Sequence, residues 1–317
     1  MRLLVPITSK EDVVEFCSIT DNIEFYMGLQ IPEWTNKFGA SEEFNRMSSF
    51  KQSANINISE VSEIVKESNG KEIFVTLNSS AYSIDQVSFI DEIMAQLSES
   101  GITGVILGDV MLVDAAKRHG LKAVASTMMG IYNTDIAKFC VESGFERLIL
   151  PRDITLAEMS NIVTEVSDVE YECFLMRNGC RYSDSNCLGY HSGRYGAICT
   201  YFDRSKIYYG GKAGDDFTSH DEAVLNHHIY TQAFHKAACG MCAVWDLIQM
   251  RITAGKVVGR ADGRKSLETD VKELAENIVI AETCNSRDDY FKQMIMPYHY
   301  DTICYQGLNC YYPEARY

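Results

Sequence analysis

Three thiols crowd one polar stretch of the chain. Cys180, Cys187 and Cys199 fall within NGCRYSDSNCLGYHSGRYGAIC (178–199), which offers almost no apolar residue to pack them. Two more, Cys239 and Cys242, follow in TQAFHKAACGMCAVWDLIQMRITAG (231–255). Thiolates are soft ligands suited to iron–sulfur clusters and to zinc, and four of them close either kind of site. The steps of 7, 12 and 40 residues from Cys180 through Cys187 and Cys199 to Cys239 lack the paired C-x-x-C knuckles of a zinc ribbon. The apolar spacing of 231–255 predicts a helix, on which residues three apart share a face, so Cys239 and Cys242 are both candidates for the fourth ligand. Cys17, Cys140 and Cys173 sit at apolar-periodic positions and read as small buried hydrophobes, while Cys284, Cys304 and Cys310 serve a second site or none.

Eight short β-rich runs alternate with amphipathic helical stretches, the pattern of parallel βα units. The predicted strands are 2–7, 23–28, 72–78, 104–109, 122–126, 147–151, 171–176 and 256–260. Thr155 stands at an N-cap position, and Gly101, Gly120 and Gly144 stand where helices end. The expected fold is α/β, a TIM-like (β/α) barrel, with an open doubly wound sheet as the alternative. The expected organisation is a barrel over 1–265, including a cysteine-rich insertion at 177–255 between strands 7 and 8, then a helical C-terminal extension with a Tyr-rich tail over 266–317. A first excursion, from Ile31 to Ile58, reads as a loop. The tail tyrosines Tyr305, Tyr311, Tyr312 and Tyr317 would lid the barrel mouth or form an oligomer interface.

In a barrel the working face is built from the loops that follow the strands. That face would collect Gly28, Asn78, Asp109, Ser126, Thr127, Arg152, Asp153, the cysteine loop and Arg260. Arg152 and Arg260, at neighbouring strand ends, would bind a carboxylate or other small anion by bidentate hydrogen bonds. Asn78, Ser126 and Thr127 join them as candidate substrate-binding residues. Asp153 and Asp109 would act as acid or base, or orient the arginines.

Composition narrows the partners. The formal charge is −15, from 29 basic and 44 acidic side chains, a field that repels polyphosphate at long range and makes nucleic acid an unlikely substrate. A local basic group of Arg177, Arg181, Arg194 and Arg204 would partly offset it. Apolar runs fall short of the ~20 residues of a membrane span, and the N-terminus lacks the apolar stretch of a signal peptide, so a cytoplasmic protein is expected. Eleven cysteines in a reducing compartment point to metal or catalysis before disulfides. No Ser–His–acid triad or H-E-x-x-H motif can be assembled from the sequence.

Several motifs then fall in an order that resembles the peptidase U32 family, also called collagenase-like proteases. They are FYMG (25–28), FVTLN (74–78), LKAVASTMMGIYN (121–133), FERLILPRDITLAEM (145–159), the cysteine stretch and AGKVVGR (254–260). Two positions depart from that pattern: Val258 where an acid is usual, and Asp153 where Glu is usual. The resemblance covers residues 1–265 and implies a barrel with a [4Fe-4S] cluster on Cys180, Cys187, Cys199 and Cys239, since the 17 residues from Cys239 to Lys256 are similar to the family's interval. It also implies one of two roles, proteolysis or oxygen-independent hydroxylation of RNA bases or a quinone precursor, the latter with an organic acid as oxygen donor. The expectation is an iron–sulfur-dependent hydroxylase-type enzyme acting on a small molecule or peptide. The alternatives are a peptidase, or a non-catalytic cluster-bearing subunit working with a paralogous partner; a homodimer is the other assembly considered.

Overall fold

The computed structural model of the chain describes residues 1–39, 42–46, 56–180, 183–185, 237–297, 304, 307, 309 and 310–317. Eight parallel strands close into a barrel: β1 (Arg2–Pro6), β2 (Ile23–Met27), β3 (Ile73–Leu77), β4 (Gly104–Leu107), β5 (Lys122–Ala125), β6 (Arg147–Ile149), β7 (Glu170–Met176) and β8 (Ala254–Val257). Closure is made by β1, whose Leu3 pairs with Ile23 on one side and Gly255 on the other. All eight expected strands are present, each within one to three residues of its predicted ends. Their apolar runs suit strands covered on both faces, as parallel sheets require.

Helices fill the connections: α1 (Lys10–Ile19), α2 (Pro32–Phe38), α3 (Val61–Glu67), α4 (Ile84–Glu99), α5 (Val113–Arg118), α6 (Thr134–Ser143), α7 (Leu156–Glu165), α8 (Val244–Gln249), α9 (Arg264–Thr283) and α10 (Arg287–Gln293). Their ends obey local chemistry. Thr155 caps α7 by accepting from the Glu158 N–H, while the Glu158 carboxylate accepts from the Thr155 N–H at 2.7 Å, a capping box. Gly144 ends α6 at φ +104°, a left-handed conformation that glycine adopts at little cost. Helix α9 packs against α1 and β1. Among the described residues no helix is long and apolar enough to cross a membrane.

The excursion from Ile31 to Ile58 is not all loop. Pro32 opens α2 at a position where a missing N–H costs nothing. Trp34 of that helix, 2% exposed, meets Phe38, Phe44, Tyr82 and Phe89 at ring distances of 4.6 to 6.1 Å. This aromatic cluster supplies the burial that a helix of seven residues cannot find alone. A two-residue parallel pairing of Leu29–Gln30 with Ile56–Asn57 ties the excursion's ends.

The barrel interior is charged where many barrels are aliphatic. Arg147, fully buried at the start of β6, donates to Glu24 through both terminal nitrogens and to Glu170 through Nε at 2.8 Å. Its guanidinium lies over the Phe74 ring at 4.7 Å. Arg2 adds a second cation to Glu24, at 2.8 Å. Further along the axis Lys256 donates to Glu172 at 2.7 Å and stands 4.2 Å from the Tyr26 ring centre. Each charge in this stack has a partner, which is the condition for burying it.

Candidate functional site

At the barrel's C-terminal end the balance changes. Arg260, three residues past the end of β8, donates to Thr76 Oγ1 at 3.0 Å and lies 5.8 Å from the Tyr26 ring. Among the described residues no carboxylate pairs with it, and burial pulls its guanidinium below the usual range. Arg152, after β6, lies flat over Phe174 at 4.1 Å. Both arginines act electrostatically on Lys256 and Tyr26, so they face the same end of the barrel axis.

The carboxylate beside Arg152 is one that spacing did not reveal. Asp184 is 2% exposed and accepts from Arg46 at 2.7 Å and from Arg152 at 3.4 Å. Its neighbour Ser183 meets the Tyr132 hydroxyl at 2.5 Å, and Tyr132 donates to Asp153 at 3.0 Å. Thus Ser183–Ser185, between Cys180 and Cys187, is seated on loops that follow β2, β5 and β6. Arg46, Tyr132, Ser183 and Asp184 are absent from the sequence-derived set, because their contacts span 21 to 138 residues. The faint signal was an acid flanked by serines inside a cysteine loop.

The remaining expected residues fall as follows. Asn78 accepts from the Arg46 backbone N–H at 3.3 Å and donates to Ser126 Oγ at 3.4 Å, so these two meet at the mouth. Thr127 is buried in the turn Thr127–Met129 that Ser126 caps. Asp109 accepts from the backbone N–H groups of Tyr82 and Met111, at 3.2 and 3.0 Å. Asp153 is exposed and held by Tyr132. Both aspartates are engaged by these groups, and Asp184 is the acid that orients Arg152. The chain Ser183–Tyr132–Asp153 has the outline of a hydrolytic relay. Burial, however, pushes the Tyr132 hydroxyl up, so it keeps its proton at neutral pH and is a poor base for serine.

The expected helix through Cys239 and Cys242 is corrected. Ala238–Gly240 is an extended segment laid against the end of β7: Arg177 N–H donates to Ala238 O and Gly240 N–H to Leu175 O, each at 2.7 Å. Its outer edge is taken by the tail, through Cys239 N–H to Asn309 O at 2.7 Å and Tyr311 N–H to Cys239 O at 2.8 Å. Backbone groups spent laterally cannot serve a helix, so the helical conformation at Ala237 breaks at Ala238–Gly240 and resumes at the Met241–Ala243 turn, which continues as α8. A side chain at Gly240 would stand 2.8 Å from the Tyr312 ring, so glycine lets the tail close over this segment.

The start of the insertion and its Ala238–Gly240 segment therefore lie side by side at the end of β7. Cys180 is three residues beyond Arg177, and Cys239 is the neighbour of Ala238, to which Arg177 bonds. Cys239 is 7% exposed, its sulfur accepts from the Met241 N–H at 3.5 Å, and burial pushes its thiol well up. Cys242, Cys304 and Cys310 lie within its electrostatic reach. Among the described residues no three donor groups converge closely enough to hold a metal. Cys187 and Cys199, with Arg181, Arg194, Arg204 and Tyr305, lie outside the described residues. Cys140 and Cys173 are fully buried, as expected of structural thiols.

The tail is a mouth element. Tyr311 stacks on Phe174 at 6.0 Å, donates to Arg177 O at 2.5 Å and interacts electrostatically with Arg152, Asp184, Cys180 and Tyr26. Tyr312 donates to Phe174 O at 2.9 Å.

The model of peptidase family U32 matches residues 38–296. The tRNA hydroxylation protein P1 of Bacillus subtilis (strain 168) is 22% identical over 61% of this chain and 37% of its own. The tRNA hydroxylation protein P of Escherichia coli (strain K12) is 27% identical over 38% of this chain and 26% of its own. The chain thus spans about a third or less of the length of these relatives. The solved U32 peptidase Mk0906 is similar with a TM-score of 0.43 and 15% identity over 56% of this chain and 69% of its own. The chain belongs to peptidase family U32.

Proposed function

We propose that the chain is an iron–sulfur-dependent, oxygen-independent hydroxylase-type enzyme whose chemistry is done at the barrel mouth. The observation that supports the reading is the return of the insertion to the end of β7, where Ala238, next to Cys239, accepts from the N–H of Arg177, three residues before Cys180, and Cys180 lies within electrostatic reach of Arg152. Cys180, Cys187, Cys199 and Cys239 would hold a [4Fe-4S] cluster, which supplies electron transfer when bound. The fit is one of donor chemistry and of the loop's shared root. Hydroxylation is favoured over hydrolysis because the names of the two curated relatives concern tRNA hydroxylation, and because Tyr132 is a poor base for Ser183.

The chain's own residues bind and orient. Arg260 and Arg152 present guanidinium groups to an anionic part of the substrate or oxygen donor, an organic acid. Phe174 and Tyr311 give it an aromatic wall. Asp153 and Tyr132 hold a proton at the rim, and Asp109 fixes the Tyr82 backbone. The substrate class is a small anion, a peptide or RNA. RNA enters through the relatives' names and the arginines concentrated at the mouth, despite a net charge of −15.

The test is mass spectrometry of RNA nucleosides and of small acids from anaerobic cells with and without the gene. Hydroxylated products that return with the native chain but not with Cys180→Ala support the proposal. Peptide hydrolysis by the purified chain, unaffected by Cys180→Ala, would replace it with the peptidase reading.

A further inference from the structure

Eleven cysteines are more than one cluster uses, and the fold brings a tail thiol to the residue assigned as the fourth ligand. Cys310 is paired with Cys239 across an isolated parallel bridge. Backbone bonds on both sides fix the register: Cys239 N–H donates to Asn309 O at 2.7 Å, and Tyr311 N–H to Cys239 O at 2.8 Å. The buried Asn309 side chain adds a third bond, from Nδ2 to Ala237 O at 2.6 Å. Neighbouring strands run about 4.8 Å apart, and directly paired residues of parallel strands carry their side chains on one face. A disulfide asks for Cα atoms about 4.4–6.8 Å apart and Cβ vectors that do not point away from each other. The register of Cys239 and Cys310 supplies both conditions. Cys242 and Cys304 lie within electrostatic reach of the same two thiols, but among the described residues no backbone pairing sets either of them opposite another cysteine.

We propose that Cys239 and Cys310 form a reversible disulfide that staples the tail to the insertion when the chain carries no cluster. The oxidant is a peroxide. Cys310, the more exposed of the two, attacks its O–O bond as the thiolate and becomes a sulfenic acid, with one water released. The Cys239 sulfur then attacks that sulfur: an S–S bond forms, the S–O bond breaks and a second water leaves. Two thiols give up two electrons and two protons, and hydrogen peroxide is reduced to water. The described backbone has no need to move, because the tail already lies along Cys239. The bond and a four-cysteine cluster exclude each other, since both claim the Cys239 sulfur; that consequence rests on the proposed function, and the bond itself does not. A sulfur stored as a disulfide returns on reduction, whereas one carried to sulfinic or sulfonic acid is lost as a ligand.

The test is mass spectrometry of the full chain, purified without oxygen, freed of metal by a chelator and treated with hydrogen peroxide, then blocked with iodoacetamide and digested with trypsin without reductant. Peptide 237–251 holds Cys239 and Cys242, and peptide 293–316 holds Cys304 and Cys310. The expected result is a link between the two peptides with the loss of two hydrogens, assigned to Cys239 and Cys310 by fragmentation, absent before peroxide and reversed by dithiothreitol. The link should vanish in Cys310→Ser and persist in Cys304→Ser. Peptides that stay separate overturn the proposal, whether their thiols are blocked singly or joined as Cys239–Cys242 or Cys304–Cys310, and so does a link that survives Cys310→Ser. The assignment in the native chain needs no variant to fold. Failure here leaves the hydroxylase reading to its own test, because the digest is scored on metal-free protein and products in cells are scored separately.

Discussion

Arg147 and Arg260 stand at opposite ends of one barrel in opposite electrostatic circumstances. Arg147 is fully buried, yet Glu24 and Glu172 outweigh the cost of burial and hold its guanidinium above the usual range. Arg260 is partly buried with Thr76 and the Tyr26 ring as its neighbours, and burial pulls it below the usual range. The difference teaches where charge is structural and where it is held for something else. A cation answered by acids specifies the fold; a cation buried without an acid costs stability, and such sites cluster where ligands bind.

Replacing each arginine separates the two roles most sharply. Arg147→Met removes both charge-assisted bonds it makes to buried Glu24 and leaves half-exposed Arg2 as that carboxylate's remaining cation among the described residues, and a loss of about 3–5 kcal/mol is expected in denaturant unfolding. Arg260→Gln gives up one hydrogen bond and relieves a buried charge, so about 1 kcal/mol or less is expected from the same measurement. Comparable losses at both positions would erase the contrast.

Gly240→Ala probes the rim between these regions. Its added methyl would press on the Tyr312 ring at 2.8 Å, and a cost of about 1–3 kcal/mol is expected, with the tail more readily cut by protease than in the native chain. An unchanged cleavage rate would separate the tail from the mouth.

The smallest effect concerns pH. Burial pushes the Glu43 carboxyl, near Arg46, from its ordinary 4.5 up to about 7, against the pull of Arg46. A carboxyl raised on folding contributes most stability below 4.5 and loses it as pH rises through about 7. Thermal melts between those values should therefore show stability falling with pH, and Glu43→Gln should flatten that slope. An unchanged slope would remove Glu43 from the account.

The barrel was legible because each strand is a local apolar run bounded by turn residues, as in GVILGD and EIFVTLN, and because caps such as Thr155 act over three residues. The site was legible only where residues follow strands directly: Asn78, Ser126, Arg152 and Arg260. Asp184 and Arg46 lie 138 residues apart, and no spacing rule joins them. Helix α2 escaped because its stability comes from Phe44, Tyr82 and Phe89 outside it. Cys239 looked helical by periodicity, but its backbone N–H and C=O are spent on the tail. That correction has a functional edge, since it turns Cys239 from one face of a C-x-x-C helix into part of the rim of β7.

The central claim is that Cys239, and not Cys242, completes a cluster with the thiols of the loop. It is tested by iron, sulfide and zinc content, with an absorption spectrum, on protein purified without oxygen: the native chain, Cys239→Ala and Cys242→Ala. The account predicts about four irons and four sulfides per chain, lost in Cys239→Ala and retained in Cys242→Ala. Zinc alone, no metal, or loss only in Cys242→Ala would contradict it.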